Sequence, residues 1–194
     1  MGTTLVNALI AALLGLTVLV ADPSLARAQA PERPGTVSLV LLVRHAEKAA
    51  EPASDPPLTA AGLMRAQALA AALRDAGVTA VITTQLRRTR ETAQPLAMAR
   101  GLMPEVVPIS RGAIPAHVEA AVAAVRRHAG GVVLVVGHNN SVPAIIAALG
   151  GPRLPEICES VYANLFILQL GGGEARLVRA HYGLADPDPG PDCK

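Results

Sequence analysis

The chain has 194 residues and a formal net charge of +2 at pH 7, and apolar residues make up 51% of it, whereas aromatic residues make up only 2%. This length suits one domain whose core is built from Ala, Val and Leu. The small net charge implies no strongly charged partner, and the scarcity of aromatic residues removes the stacking platforms that single-stranded nucleic acids need. We therefore expect a globular domain with no nucleic-acid partner.

The N-terminal region has the pattern of an export signal. Residues 5–21 are apolar except for Asn7 and Thr17, and Ala26-Arg27-Ala28 follows the small-x-small rule of signal peptidase sites. We expect a signal peptide at 1–28 that is cut after Ala28, then a linker at 29–36, and a periplasmic or secreted protein with no membrane span after cleavage. An uncleaved anchor is the alternative, because no Lys or Arg precedes the apolar stretch, which could just span a bilayer.

Cys158 and Cys193 are the only two cysteines. In an exported chain an even number permits a disulfide, which would tie the C-terminal tail to the loop around Cys158, and two unpaired thiols are the alternative. Neither cysteine lies in a CxxC or metal-ligand pattern, and the sequence has no HExxH motif. We therefore expect neither a metal site nor a cofactor.

From residue 37 onward, predicted strands and helices alternate. Strands are predicted at 37–43, 78–83, 105–109, 131–138, 163–170 and 175–182; helices are predicted from residue 59 to about 75, at 86–101 with a kink or break at Pro95, at 115–130 and at 140–151. This order predicts a three-layer α/β/α domain over 37–183, with a mostly parallel sheet and a C-terminal antiparallel hairpin. By composition, residues 184–194 are expected to form a disordered tail.

Three of the predicted strands end in polar residues. The first ends at Arg44-His45, the second runs into "TTQLRRTRETA" (83–93), and the fourth ends at Gly137-His138. Ligands of such sheets bind beyond the carboxyl ends of the strands. If these strands are neighbours, two histidines and at least two arginines meet in one crevice. Arginine matches phosphate oxygens, and a histidine nitrogen can form a covalent phosphoenzyme.

Four motifs in residues 37–151 resemble those of the histidine phosphatase (phosphoglycerate mutase-like) superfamily and follow the order of that family, and the C-terminal hairpin resembles that of its small secreted bacterial branch. They are "LVRHAEK" (42–48), "LTAAGLMRAQALAAAL" (58–73), "TTQLRRTRETA" (83–93) and "VLVVGHNNSVPAIIAALGG" (133–151). Ala46 replaces the glycine that is usual beside the first histidine. The resemblance implies a phosphoglycerate mutase-like fold and hydrolysis of phosphate monoesters through a phosphohistidine, without metal.

The resemblance also implies roles for individual residues. His45 would be the nucleophile, Arg44 and Arg88 would bind the phosphate, His138 would stabilise the transferring phosphoryl group, and Asn140 would offer a backbone N–H at the start of a helix. The positive charge around His45 is expected to lower its pKa and keep it neutral.

The proton donor to the leaving group matches no motif. Glu119, between Arg88 and His138, is the favoured candidate, and Glu47 and Asp55 are the alternatives. The other histidines, 117, 128 and 181, are expected at the surface.

The hypothesis is an exported phosphatase acting on a small-molecule phosphate ester or an envelope-linked phosphate. A non-catalytic module that binds phosphosugars or envelope glycans stays open because no acid motif is found. A mutase is less favoured because the chain lacks an insertion after the second arginine motif.

Overall fold

A computed structural model of the protein describes residues 37–188 and Cys193, so the predicted signal peptide (1–28) and linker (29–36) lie outside the described residues. The described part contains six strands and four helices, in the alternating order that the sequence predicts. Their bounds are β1 Ser38–Arg44, α1 Ala60–Ala72, β2 Ala80–Thr83, α2 Arg87–Arg100, β3 Glu105–Val106, α3 Ile114–Arg127, β4 Val132–Gly137, α4 Ser141–Ala148, β5 Asn164–Leu170 and β6 Arg176–His181. None of these described helices combines the length and apolar character needed to cross a bilayer.

The strands form one sheet in the order β3-β2-β4-β1-β5-β6. The strands β1 to β4 run parallel, and β5 and β6 form the antiparallel hairpin. The register pairs Arg44 with Gly137 and Thr83 with Val136. The carboxyl ends of β1, β2 and β4 therefore meet at one edge of the sheet, which is the condition for a shared site.

The apolar run of β1 is buried on both faces of the sheet. Val40 and Leu42 pack in the cluster formed with α3 and α4, whereas Leu41 and Val43 pack in the cluster formed with α1 and α2. Because successive strand residues point to opposite faces, a strand between two helical layers needs apolar residues at every position. The predicted three-layer α/β/α architecture is confirmed.

The helix α2 continues through Pro95 from Arg87 to Arg100, so the helix does not break where the sequence allowed a break. Proline removes one main-chain hydrogen bond from a helix. Burial of Ala93, Leu96 and Ala97 against the core offsets that loss. The helix ends at Gly101, whose φ of 64° is left-handed and suits a residue without a side chain.

The tail predicted to be disordered from residue 184 begins with specific contacts. The Leu184 carbonyl accepts a hydrogen bond from Arg65 Nη1 at 2.9 Å. The carboxylate of Asp186 accepts the backbone N–H groups of Tyr162 at 2.9 Å and Ala163 at 2.8 Å, just before β5. Composition alone does not reveal these contacts, in which a carboxylate satisfies backbone donors elsewhere in the chain.

Gly62 allows α1 to lie against the backbone that follows His45. Thr59 caps the helix by accepting the Gly62 N–H at 3.1 Å, and a Cβ at residue 62 would overlap the carbonyl oxygen of Glu47. We expect Gly62→Ala to lower the free energy of unfolding by about 2 kcal/mol, because backbone has to move to make room. Urea denaturation measures this loss. The control Ala61→Gly, at an exposed position of the same turn, should cost no more than about 1 kcal/mol; equal losses would contradict the close approach.

Candidate active site

His45 lies directly after β1 and is only 3% exposed. Its backbone N–H donates to the Gly137 carbonyl at 3.0 Å, which extends the β1–β4 ladder by one residue. Its ring Nδ1 lies 2.8 Å from the Ala46 carbonyl oxygen. Because a carbonyl only accepts, Nδ1 carries the proton and Nε2 keeps its lone pair. The fold thus fixes both the orientation of the ring and the nitrogen that can attack.

Burial is the largest cause that lowers the pKa of His45 to about 3; the positive charges of Arg44 and Arg88 contribute in the same direction, and the hydrogen bond to Ala46 opposes them. The sequence predicted the direction from positive charge alone, but the loss of hydration is the larger cause. His45 is therefore neutral from mild acid upward, as a nucleophile has to be.

His138 follows β4 and faces His45. The two ring centroids are 5.4 Å apart in an edge-to-face arrangement. The His138 N–H donates to Ser141 Oγ at 3.0 Å, and its Nε2 lies 3.2 Å from Thr84 Oγ1 at the end of β2. Burial, followed by the charges of neighbouring groups, lowers the pKa of His138 to about 3. His45, His138 and Thr84, which follow β1, β4 and β2, therefore form one buried cluster.

Arg44, only 2% exposed, is held by the loop between α4 and β5. Its Nη1 donates to the carbonyls of Cys158 at 2.6 Å and Val161 at 3.2 Å, and its guanidinium lies 4.5 Å from the centre of the Tyr162 ring. The Cys158–Cys193 disulfide, one of the two possibilities in the sequence, anchors this loop to the C-terminal tail. Arg44 Nε is buried without a hydrogen-bond partner among the described residues.

Arg88 lies in the first turn of α2. Its Nε is also buried without a partner in the described part of the chain. Burial lowers the pKa of Arg88, as does repulsion from Arg44, while the negative charges of Asp55 and Glu159 act in the opposite direction. The neighbouring Arg87 is exposed and pairs with Glu91 at 3.0 Å. Arg88 is therefore the arginine of this cluster whose charge acts on both histidines.

Asn140 occupies the N-cap position of α4, two residues after His138, but its side chain makes no capping hydrogen bond. The preceding Asn139 instead donates its side-chain N–H to Glu159 at 2.9 Å. The predicted backbone role of Asn140 is thus compatible with its position at the start of the helix, where N–H groups lack partners within the helix.

Glu47 anchors the loop that follows the nucleophile. Its two carboxylate oxygens accept from Arg65 Nε at 2.9 and 3.0 Å. Arg65, which is 6% exposed, also donates to the carbonyl of Tyr182 and pairs with Asp186 at 3.4 Å. This buried network ties the loop after His45 to α1 and to the residues after β6, so Glu47 has a structural partner.

Of the three candidate proton donors, the structure places only Asp55 beside the arginines. Asp55 Oδ1 accepts the backbone N–H of Arg87 at 2.8 Å, and its charge acts on Arg88. Glu119 lies on the exposed face of α3 and lines a surface cavity with residues of α3 and α4. Among the described residues, Glu119 forms no hydrogen bond or ion pair with either His45 or His138. The buried face of α3 is the one that carries His117 and Ala121, and a residue two positions after His117 points away from it.

His117 is 5% exposed, so its predicted surface position is wrong. Its Nδ1 lies 3.0 Å from the Pro108 carbonyl, and its charge acts on His138. A histidine on an amphipathic helix is usually assigned to the exposed face because its ring is polar. His117 can be buried because its ring nitrogen is paired with a backbone carbonyl. His181 is exposed, as predicted.

The residues that sequence reasoning missed lie mainly in the loop between α4 and β5. Glu159 and Tyr162 contact Arg44, and Tyr162 also lies with its ring centre 6.5 Å from that of His45. The only signal near them is Cys158, the disulfide candidate. Within residues 37–188 and Cys193, no group of three or more His, Cys, Asp or Glu side chains is arranged to hold a metal ion.

Similarity to known proteins supports this arrangement over part of the chain. Residues 40–112 match the family model "Histidine phosphatase superfamily (branch 1)". The probable phosphoglycerate mutase GpmB of Yersinia enterocolitica is 42% identical over 69 residues, which make up 32% of this chain and 32% of that protein. The match thus spans about a third of the length of these curated relatives.

Solved structures resemble the fold over nearly their whole length. The protein histidine phosphatase SixA complexed with tungstate has a TM-score of 0.59 and 20% identity, covering 74% of this chain and 96% of that one. A predicted phosphohistidine phosphatase SixA from Nakamurella multipartitia has a TM-score of 0.54 and 26% identity, covering 77% and 98%. These solved structures share the fold of this chain, and residues 40–112 are similar to branch 1 of the histidine phosphatase superfamily.

Proposed function

We propose that the protein is an exported phosphatase that hydrolyses phosphate monoesters through a phosphohistidine at His45, without a metal ion. One observation carries the proposal: a neutral, oriented His45 lies with His138 beside two arginines, and each arginine has a buried Nε without a partner among the described residues. A buried donor without an acceptor is costly. The oxygens of a phosphate group would satisfy both donors at once.

The reaction would proceed in two displacements. Nε2 of His45 attacks phosphorus, the phosphorus–ester oxygen bond breaks, and the leaving oxygen takes a proton. Water then attacks the phosphohistidine, the phosphorus–nitrogen bond breaks, and inorganic phosphate and neutral His45 are released. Arg44, Arg88 and His138 would stabilise the charge on the phosphoryl oxygens in both transition states. Asp55 is the candidate donor of the proton, because it is the one of the three candidate carboxylates that binds the start of α2 and whose charge acts on Arg88.

Mutase activity is the second candidate, favoured by the 42% identity with a probable phosphoglycerate mutase. A mutase would return the phosphoryl group from His45 to a second hydroxyl of the substrate rather than to water.

Export is supported by the apolar N-terminal segment and by the disulfide, since disulfides persist in oxidising compartments. N-terminal sequencing of the mature protein would test the cut after Ala28, and a protein that still begins at Met1 would contradict it.

The proposal is tested with the purified protein and an aryl phosphate in buffer containing EDTA, from pH 4 to 8. We expect hydrolysis, together with an acid-labile, alkali-stable phosphoryl label on His45 after rapid quenching. If the protein neither releases phosphate nor takes up label, but binds inorganic phosphate, it is a binding module. If it interconverts 2- and 3-phosphoglycerate faster than it releases phosphate, it is a mutase.

A further inference from the structure

Glu159 places a carboxylate on the phosphate-binding face of the candidate site. Its Oε2 lies 2.5 Å from Arg44 Nη2, and its Oε1 accepts from Asn139 Nδ2 at 2.9 Å. The negative charge of Glu159 also acts on Arg88. The Glu159 side chain therefore binds Arg44 directly and interacts electrostatically with Arg88.

The hydrogen bonds of Arg44 leave few donors for a phosphate. Nη1 is committed to the backbone carbonyls of Cys158 and Val161, so Nη2 and Nε remain. Glu159 accepts from Nη2, and Nε has no partner among the described residues. Carboxylate and phosphate oxygens match the guanidinium group in the same way. Because Nη2 carries two hydrogens, a phosphate that binds Arg44 through Nε and Nη2 would share Nη2 with Glu159, and the repulsion between the two anions would oppose binding or push the carboxylate aside.

The surroundings of Glu159 allow its side chain to move while its backbone stays in place. The side chain is 73% exposed, and exposed ion pairs are weak. The backbone on either side is held, because the carbonyls of residues 158 and 161 bind Arg44 and the disulfide fixes Cys158. After displacement, the carboxylate would still lie at the mouth of the site.

We infer that Glu159 is a specificity-determining residue that competes with the substrate phosphate for Arg44 and then repels any second negative charge on the substrate. This inference rests on the proposed function and narrows its substrate class to phosphate monoesters of uncharged alcohols. It disfavours bisphosphates and phosphorylated carboxylic acids. Both oxygens of Glu159 act as hydrogen-bond acceptors, which is the arrangement of a repelling carboxylate and not that of a proton donor.

Two measurements on Glu159→Gln test the inference, with Glu156→Gln, an exposed position of the same loop, as the matched control. The first is calorimetric titration with inorganic phosphate, which needs no turnover. We expect Glu159→Gln to bind phosphate about fivefold more tightly than the wild type, since an exposed pair is worth up to about 1 kcal/mol. The gain should vanish when Arg44→Met is added, and Glu156→Gln should bind like the wild type.

The second measurement compares glycerol 3-phosphate with 3-phosphoglycerate, which differ in that a carboxylate replaces a hydroxymethyl group. We expect the wild type to prefer glycerol 3-phosphate in kcat/KM, and Glu159→Gln to reduce that preference about tenfold, as removal of a nearby like charge should. Unchanged phosphate affinity and an unchanged preference would overturn the inference.

Two further outcomes separate the possible failures. If Glu159→Gln loses turnover of glycerol 3-phosphate but keeps that of an aryl phosphate, Glu159 is the proton donor and the inference is wrong. If the wild type hydrolyses no ester, the proposed function fails, whereas the phosphate titration still decides whether Glu159 competes for Arg44.

Discussion

Replacing His45 with asparagine is expected to lower kcat/KM for an aryl phosphate by about 10⁴-fold or more, as loss of a covalent nucleophile does in other enzymes. Asparagine can still donate an N–H toward the Ala46 carbonyl, so the loop should keep its position. What it lacks is a ring nitrogen with a free lone pair. An aryl leaving group departs with little help from an acid, so the assay reports the nucleophile directly.

Two other histidines calibrate this result. His138→Asn should lower kcat/KM by about 10²- to 10³-fold, the usual cost of one donor to a charged transition state. His181→Asn, at an exposed position of β6, should leave kcat/KM unchanged. Phosphohistidine should be trapped on the wild type and on His181→Asn but not on His45→Asn. Comparable rates for His45→Asn and the wild type would refute covalent catalysis at this residue.

Acidification below pH 6.5 is expected to destabilise the fold through the same two histidines. Burial holds the pKa of His45 and of His138 at about 3, whereas the ordinary value is 6.5. Between pH 6.5 and 3 the two histidines are protonated in the unfolded chain but stay neutral in the native protein. Their contribution to the free energy of unfolding is therefore fully present above pH 6.5 and is lost as the pH falls toward 3. At pH 4.5, which is 2 units below the ordinary pKa of 6.5, the loss should be about 3 kcal/mol for each histidine, since one pKa unit corresponds to about 1.4 kcal/mol.

Urea denaturation between pH 7.5 and 4.5 measures this loss, in a window above the range where most carboxylates titrate. His45→Asn and His138→Asn should each flatten the pH dependence, and the double variant should flatten it most. His181→Asn should keep the slope of the wild type. A wild-type stability that does not change over this window would show that both rings are protonated in the native state without cost, contrary to their burial.

The sequence predicted the fold and the positions of His45 and His138 at one edge of the sheet, because both follow from local patterns. Positions 39–43 of β1 are all apolar because the strand is covered on both faces, and the polar residues Arg44, His45 and His138 stand where β1 and β4 end. Because β2, β4 and β1 are parallel neighbours, their carboxyl ends lie at one edge of the sheet, and the polar residues that follow them come together there.

The partners of these residues were not predictable in the same way. Glu159 binds Arg44 from 115 positions away, and no periodic pattern marks the loop that carries it. Glu119 was favoured for its place between two motifs, whereas the face of α3 on which it lies decides its surroundings. Long-range pairs of charged groups depend on how loops close over the sheet, and single-sequence patterns carry little of that information.

The backbone carbonyls that accept from Arg44 lie 114 and 117 positions later in the chain, and the backbone carbonyls that accept from Arg65 lie 117 and 119 positions later. During synthesis the strand that carries Arg44 and His45 therefore emerges long before the groups that hold these arginines. Contacts between residues so far apart in the chain form slowly, because the entropy lost on closing the intervening loop is offset only when these late contacts form. A chain that stops after residue 151 would contain all four sequence motifs and still lack the carbonyls on which Arg44 rests. A complete site is thus among the last features that this protein acquires as it folds.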